Sequence, residues 1–279
     1  MGAFGTCLPS PPVERKFFGS FFQKRTAYFS LLKFLVAALI AAVLAFLTVP
    51  LFGLLTSGDF SQGISADDFD AIFVSLAGGA LALTLIAVIG TPVAHYLARG
   101  SGRWGALAEV LVLIPMLMPT LAIGILLAAV YGPAAPMGHA LASLGILLTN
   151  TPAAFVLAAL YAAMPTYVVA ARAALAKVPV ELEEVARTLG QAPARVFFRV
   201  TLPLARSGLA AALSLAWVRA MGEFGIVLII AYYPQGLPVR LWVDLQDEGV
   251  AAVFPLLAVF LLLALPLPLW LGLRARRAE

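Results

Sequence analysis

Charge is scarce in this chain: Asp, Glu, Lys and Arg together make up 11% of its 279 residues, while 62% are hydrophobic. A soluble core of this size cannot hide that much apolar side chain, so lipid has to cover the excess. Cysteine is nearly absent. The single Cys7 excludes an internal disulfide framework and any multi-cysteine metal site, and no metal ligand set is expected. Cys7 lacks the preceding apolar run of a lipidated cysteine, and the loose Met1-Gly2-Thr6 myristoylation pattern is read as chance. Only two histidines occur, His95 and His139, on segments expected at opposite faces. With no Gly-x-Ser-x-Gly elbow and no His-Glu-x-x-His run, no catalytic residues are expected and an enzyme is excluded as a reading. No G-x-x-x-x-G-K-[ST] phosphate loop is present, so the chain has no visible nucleotide site of its own. The net charge of +4 does not point to nucleic acid, because the basic residues are not gathered on one solvated face.

What the chain does have is long apolar runs. Segments of about 20 apolar residues match the length that a helix needs to cross a bilayer. Six are expected, near Leu31–Phe52, Ile72–Ala98, Gly105–Tyr131, Ile146–Ala171, Ser207–Ala231 and Val250–Leu273. The first sits behind some thirty residues with Pro9, Pro11, Pro12 and several charges, and reads as an uncleaved anchor. The expected fold is therefore all-α, a multi-pass bundle of six transmembrane helices. Residues 1–30 form a basic and aromatic leader, which lies flat on the lipid surface or stays disordered. Residues 31–279 form one membrane domain.

Orientation follows from the basic residues. Of the 18 Lys and Arg, 16 fall on one side of these runs, leaving Arg219 inside a span and Arg240 opposite. The positive-inside rule then makes both termini cytoplasmic. The opposite face carries Asp59, Asp67, Asp68, Asp70, Asp244, Asp247 and Glu248. Prolines fall inside several expected spans, and Pro115 and Pro119, one turn apart in the third, mark it as the helix best placed to bend around a pathway.

Between the fourth and fifth runs, residues 172–206 stay on the basic side, long enough for two short helices. Pro179 suits a first helical position. Val178, Leu182, Val185 and Leu189 form one apolar stripe, expected to rest on the base of the bundle, with Glu181, Glu184 and Thr188 facing water. Glu183 and Arg187 form a favourable i,i+4 pair, and Gly190 stands where a left-handed cap is expected. A second helix is expected to start at Pro193, to expose Arg195 and Arg199, and to stop at Pro203.

Glu184, Ala186, Gly190, Val200, Leu202 and Pro203 resemble the EAA loop of ABC importer permeases: Glu-Ala-Ala, three residues, Gly, nine residues, Ile, one residue, Leu-Pro. Every spacing matches. Val185 stands in place of Ala at the motif's second position, Val200 replaces the Ile, and Ala192 stands where a capping Ser is common. The resemblance implies the type I importer permease fold. It also implies that Glu183, Glu184, Ala186, Arg187, Gly190, Arg195, Leu202 and Pro203 form a coupling helix docked on a separate ATP-hydrolysing subunit, which holds the ATP and Mg.

The fifth run contains Arg219 and Glu223, either a structural ion pair or residues beside a permeation path. Gly222-Glu223-Phe224-Gly225 and Ile230–Pro234, with Gly90-Thr91-Pro92 and Ala186–Gly190, resemble molybdate and tungstate permeases, with sulfate permeases close behind. The implied partners are a second copy of the permease, two ATPase subunits, and an extracytoplasmic oxyanion-binding protein that meets Asp244, Asp247 and Glu248. The implied location is a prokaryotic inner membrane. The rival reading is an ion-coupled secondary transporter, for which Glu223 is the one well-placed carboxylate.

Overall fold

The computed structural model describes residues 12–276, apart from Gln62 and Ser101, so Cys7 and the Met1-Gly2-Thr6 pattern lie outside the described residues. The chain divides into two compact units, residues 1–58 and 59–279. The first unit is one helix, α1 (Pro12–Ser57), whose Lys33–Thr56 stretch is long and apolar enough to cross a bilayer. Side chains such as Phe34, Phe46 and Leu55 are exposed, as suits a rod in lipid.

The second unit begins with α2 (Ala66–Leu85). Ser65 and Asp68 close a capping box: the Asp68 N–H donates to Ser65 Oγ at 3.2 Å, and the Ser65 N–H donates to Asp68 Oδ2 at 2.8 Å. A π-helical turn, Ile86–Gly90, leads into α3 (Thr91–Arg99), and the two helices make one 34-residue span. A Cβ on Gly90 would stand 2.7 Å from the Tyr167 ring, so only glycine lets the π turn lie this close to the central helix.

The third span is broken. α4 (Arg103–Leu117) and α5 (Thr120–Tyr131) meet at 111°. Met118 is extended because Pro119 follows it, and a residue before proline is driven out of the helical region. Pro115 stays within α4, so the bend expected from the proline pair is made at Pro119. The short α6 (Pro136–Ser143) follows.

α7 (Pro152–Ala176) is the central helix, capped by Thr151, whose Oγ1 accepts from the Ala154 N–H at 3.1 Å. It starts six residues later than the apolar run at Ile146, since that cap and Pro152 set its first turn. Buried Ala158, Ala159, Ala162, Ala163 and Ala171 let neighbouring helices approach closely. The chain then forms α8 (Val180–Thr188) and the one-turn α9 (Pro193–Val196).

Pro203 does not stop this second helix. A π-helical turn, Phe197–Thr201, joins α9 to α10 (Leu202–Met221), and Pro193–Met221 forms one apolar rod of 29 residues. The rod also ends ten residues short of Ala231: Gly222–Phe224 is non-helical, and α11 (Gly225–Ile230) packs beside α5. A Cβ on Gly225 would stand 2.9 Å from the Leu121 backbone nitrogen, so the two broken spans touch at their breaks. α12 (Leu237–Asp247), α13 (Val250–Ala264) and α14 (Pro266–Arg276) complete the unit. Among the described residues, five helical stretches are long and apolar enough to span, and six when the bent pair counts as one.

Candidate functional site: an amphipathic surface helix, a locked ion pair and an acidic rim

α8 is an amphipathic helix at the basic end; Glu181, Glu184 and Thr188 are exposed as expected, but the apolar stripe faces away from the base of the bundle rather than onto it. Leu182, Val185 and Leu189 are exposed, Leu189 at 75%, while the acid Glu183 is buried at 1%. Val178 alone of the stripe is inside. The reason is a set of donors around the Glu183 carboxylate. Arg99, the last residue of α3, donates from Nη2 at 2.8 Å and from Nε at 3.2 Å. The Thr201 hydroxyl donates at 2.8 Å and Arg187 Nη2 at 3.2 Å. Arg99 also donates to the Val178 carbonyl at 2.9 Å. A buried carboxylate with this many donors is compensated, so turning the acid inward leaves the apolar side chains facing out. Burial pushes the Glu183 carboxyl up, but the Arg99 and Thr201 hydrogen bonds outweigh it and hold it below the ordinary glutamate value.

The helix ends as its glycine dictates. Gly190 has φ +81°, its N–H donates to the Arg187 carbonyl at 2.9 Å, and the Gln191 N–H donates to the Ala186 carbonyl at 3.1 Å. This is a Schellman closure, which turns the chain sharply into α9. Glu184 is exposed on the outer side of α8, Ala186 is half-buried, Arg195 is exposed on α9, and Leu202 and Pro203 belong to the base of α10. Exposed Val180, Leu182, Val185 and Leu189 and the exposed Glu184 thus share one short helix on the molecular surface. Beside it, an open groove of about 850 Å³ runs between α7 and α10, lined by Ala173, Ala174, Ser207, Gly208 and Ala211.

Arg219 and Glu223 form an ion pair at 2.7 Å, with Glu223 1% exposed. The other Glu223 oxygen accepts from the Ile226 N–H at 2.8 Å, so the carboxylate both caps α11 and holds Arg219. The Arg219 side chain is 37% exposed, and the pair sits at the break that follows α10. Pro115 and Pro119 lie at the other break, around the N-terminus of α5. A second membrane ion pair, Arg172 to Glu109, ties α7 to α4 and had no local signal in the sequence.

At the acidic end, Arg240 of α12 is the centre. It bonds Asp68 at 2.9 Å and Asp244 at 3.1 Å, with Asp67 at 3.8 Å. Asp244 is therefore buried against its own chain, whereas Asp247 and Glu248 are exposed. Burial pushes the Asp244 carboxyl up, Arg240 pulls it down, and neighbouring Asp68, Glu248 and Asp247 push it further, to about 6. The clue to this cluster was the lone base among acidic outer segments. The clue to Arg99 was weaker, being only a charge at a span end.

Residues 87–279 match the family of binding-protein-dependent transport system inner membrane components. A probable molybdenum ABC transporter permease protein of Haloferax volcanii is 41% identical over 177 residues, 63% of this chain and 64% of that protein. The molybdenum transport system permease protein ModB of Mycobacterium tuberculosis is 34% identical over 66% of this chain and 71% of its own length. The molybdate/tungstate transport system permease protein WtpB of Methanocaldococcus jannaschii is 28% identical over 84% and 94%. Among solved structures, a bacterial alginate ABC transporter bound to its periplasmic protein superposes with a TM-score of 0.70 at 17% identity, covering 91% of this chain and 97% of that one. The MetNI methionine transporter gives 0.59 at 19% identity, over 75% and 94%. At such identities these structures speak for the fold alone, and it is that of an ABC importer permease. With its broken spans, its locked ion pair and its outward-facing amphipathic helix, the chain belongs to the binding-protein-dependent transport system inner membrane components, a transport subunit rather than an enzyme.

Proposed function

We propose that this chain is the permease of an ATP-driven importer for a tetrahedral oxyanion, molybdate or tungstate first and sulfate next. Two copies form the pathway, with both termini in the cytoplasm. Two ATP-binding subunits carry ATP and Mg and press on the coupling helices. An extracytoplasmic binding protein delivers the anion to the outer mouth. Nucleotide-driven closure and release then swing the permease between outward-open and inward-open states as rigid bodies.

The observation that carries this reading is the orientation of α8. Leu182, Val185 and Leu189 face away from the chain's own core beside exposed Glu184, a surface suited to being covered by another protein. The names of the relatives support the substrate class. At the outer end, exposed Asp247 and Glu248 are free to meet a basic partner surface, whereas Asp244 is engaged by Arg240. An ion-coupled mechanism is disfavoured because Glu223 is held by Arg219 and the Ile226 N–H, leaving it poorly placed to carry a proton or cation.

The test is molybdate uptake into liposomes containing the permease, with and without the ATP-binding subunits. Uptake that requires those subunits, ATP and the binding protein is expected. Uptake driven by an ion gradient with the permease alone overturns the reading.

A further inference from the structure

The Glu183 hub joins three parts of the second unit that are remote in sequence. Its carboxylate belongs to α8, and its donors belong to the end of the second span (Arg99) and to the π turn that starts the fifth (Thr201). Arg187 closes the set from α8 itself. His95, one turn before Arg99, packs edge-on at 5.0 Å against Phe197 of that same π turn, so the second and fifth spans also touch beside the hub. Each of the two spans contains a π turn, Ile86–Gly90 in one and Phe197–Thr201 in the other. A π turn is a locally wider, less regular piece of helix and is a frequent feature of working sites.

We propose that Glu183 is a positioning residue for transport: it does not contact the ATP-binding partner but fastens the coupling helix to the second and fifth spans, so that displacement of α8 moves both. The proposal rests on the importer reading above. At 1% exposure Glu183 is out of reach of any docking protein, whereas the neighbouring Glu184 is exposed. A partner pushing on Leu182, Val185 and Leu189 therefore acts on a helix whose inward face is bonded through one carboxylate to two rods. A rigid polar link transmits force that a sliding apolar contact would absorb. Spatial intermediacy alone does not establish such a link, so the test has to measure coupling.

The experiment uses the full transporter, with ATP-binding subunits and binding protein, reconstituted in liposomes with molybdate as the probe. Glu183→Gln keeps the shape of the side chain and removes its charge. The ATP-binding subunits should still co-purify, while molybdate transported per ATP hydrolysed falls about ten-fold, the size of a typical coupling effect. Stimulation of ATP hydrolysis by loaded binding protein falls with it. Arg99→Gln should give the same loss, and the double variant should be no worse than either single one. An unchanged transport-to-hydrolysis ratio in Glu183→Gln overturns the proposal, as does a double variant whose losses multiply. If Glu183→Gln fails to assemble, Thr201→Val decides, since it removes one hydroxyl from the same carboxylate. A lowered ratio supports the proposal and an unchanged one overturns it. A wild-type chain without ATP-dependent uptake indicts the importer reading instead, which keeps the two failures apart.

Discussion

The two ends of the second unit solve one problem with opposite charges. At the basic end, a single acid, Glu183, pins the amphipathic helix α8 among Arg99 and Arg187. At the acidic end, a single base, Arg240, pins the amphipathic helix α12 among Asp67, Asp68 and Asp244. Each anchor is the minority charge of its neighbourhood. The difference lies in saturation. Glu183 has more donors than it needs and its carboxyl is held low, whereas three carboxylates share Arg240 and one of them, Asp244, is left raised to about 6. The Glu183 anchor is insensitive to mild acid, and the Arg240 anchor is poised to respond to it.

That contrast can be broken most sharply at Glu183. Glu183→Ala leaves the largely buried Arg99 guanidinium without its carboxylate, at a cost of about 3 kcal/mol, seen as a large drop in the thermal unfolding temperature in detergent. A drop no larger than that of a surface substitution would show that Arg99 finds another partner. Next in size is Arg240→Met, expected to cost about 2–3 kcal/mol near neutral pH because it strips the cation from neighbouring carboxylates. Its penalty should shrink below pH 6, where Asp244 takes up a proton; an equal penalty at pH 5 and pH 8 contradicts the shared-cation picture.

The sign of the wild-type pH dependence separates the ends. Asp244 has a folded value near 6, above its ordinary 3.8, so it binds a proton more tightly in the fold. Its contribution is fully present below about pH 4 and is lost as the pH rises through 6, a change of at most about 3 kcal/mol. Glu183 has the opposite sign: its contribution is present above its ordinary value of 4.5 and fades only as the pH falls through its lowered folded value. Between pH 5 and 7 the Arg240 cluster should respond and the Glu183 carboxylate should not, and Asp244→Asn should remove the cluster's share of the unfolding profile there. The smallest effect on stability belongs to Leu189→Asp, since Leu189 is 75% exposed and touches little of its own chain. Stability should hold within about 0.5 kcal/mol, while co-purification of the ATP-binding subunits declines; undiminished co-purification would remove Leu189 from the docking surface.

Much of this was legible in the residues because it depends on local rules. Apolar run length located the spans, Pro119 located the sharpest bend, the glycine at 190 located a left-handed cap, and the i,i+4 spacing located the Arg219–Glu223 pair. The facing of α8 was not legible. An apolar stripe is ordinarily a buried stripe, and only Arg99, 84 positions before Glu183, and Thr201, 18 after it, reverse that preference. The continuation of the helix through Pro203 was hidden for a related reason. In the π turn the Leu202 N–H reaches back to the Phe197 carbonyl, five residues away, and the following proline falls at the start of a fresh α-helical register. The break after Met221 was hidden by hydropathy, since Gly222–Phe224 interrupts the helix without interrupting the apolar run.

The π turn at Phe197–Thr201 has a geometric corollary. It accommodates one residue more than an α-helical turn, and each residue sweeps about 100° around a helix axis. Pro193–Val196 is therefore phased about a quarter-revolution away from the azimuth that an unbroken α10 would impose. Regularising the turn at unchanged length would swing α9, with everything upstream of it, around the axis of the rod, whereas deleting one residue inside the turn would restore a regular screw and leave α9 at its present azimuth. The bulge works as an angular correction for the surplus residue, and the aim of α9 and of the chain before it depends on its forming.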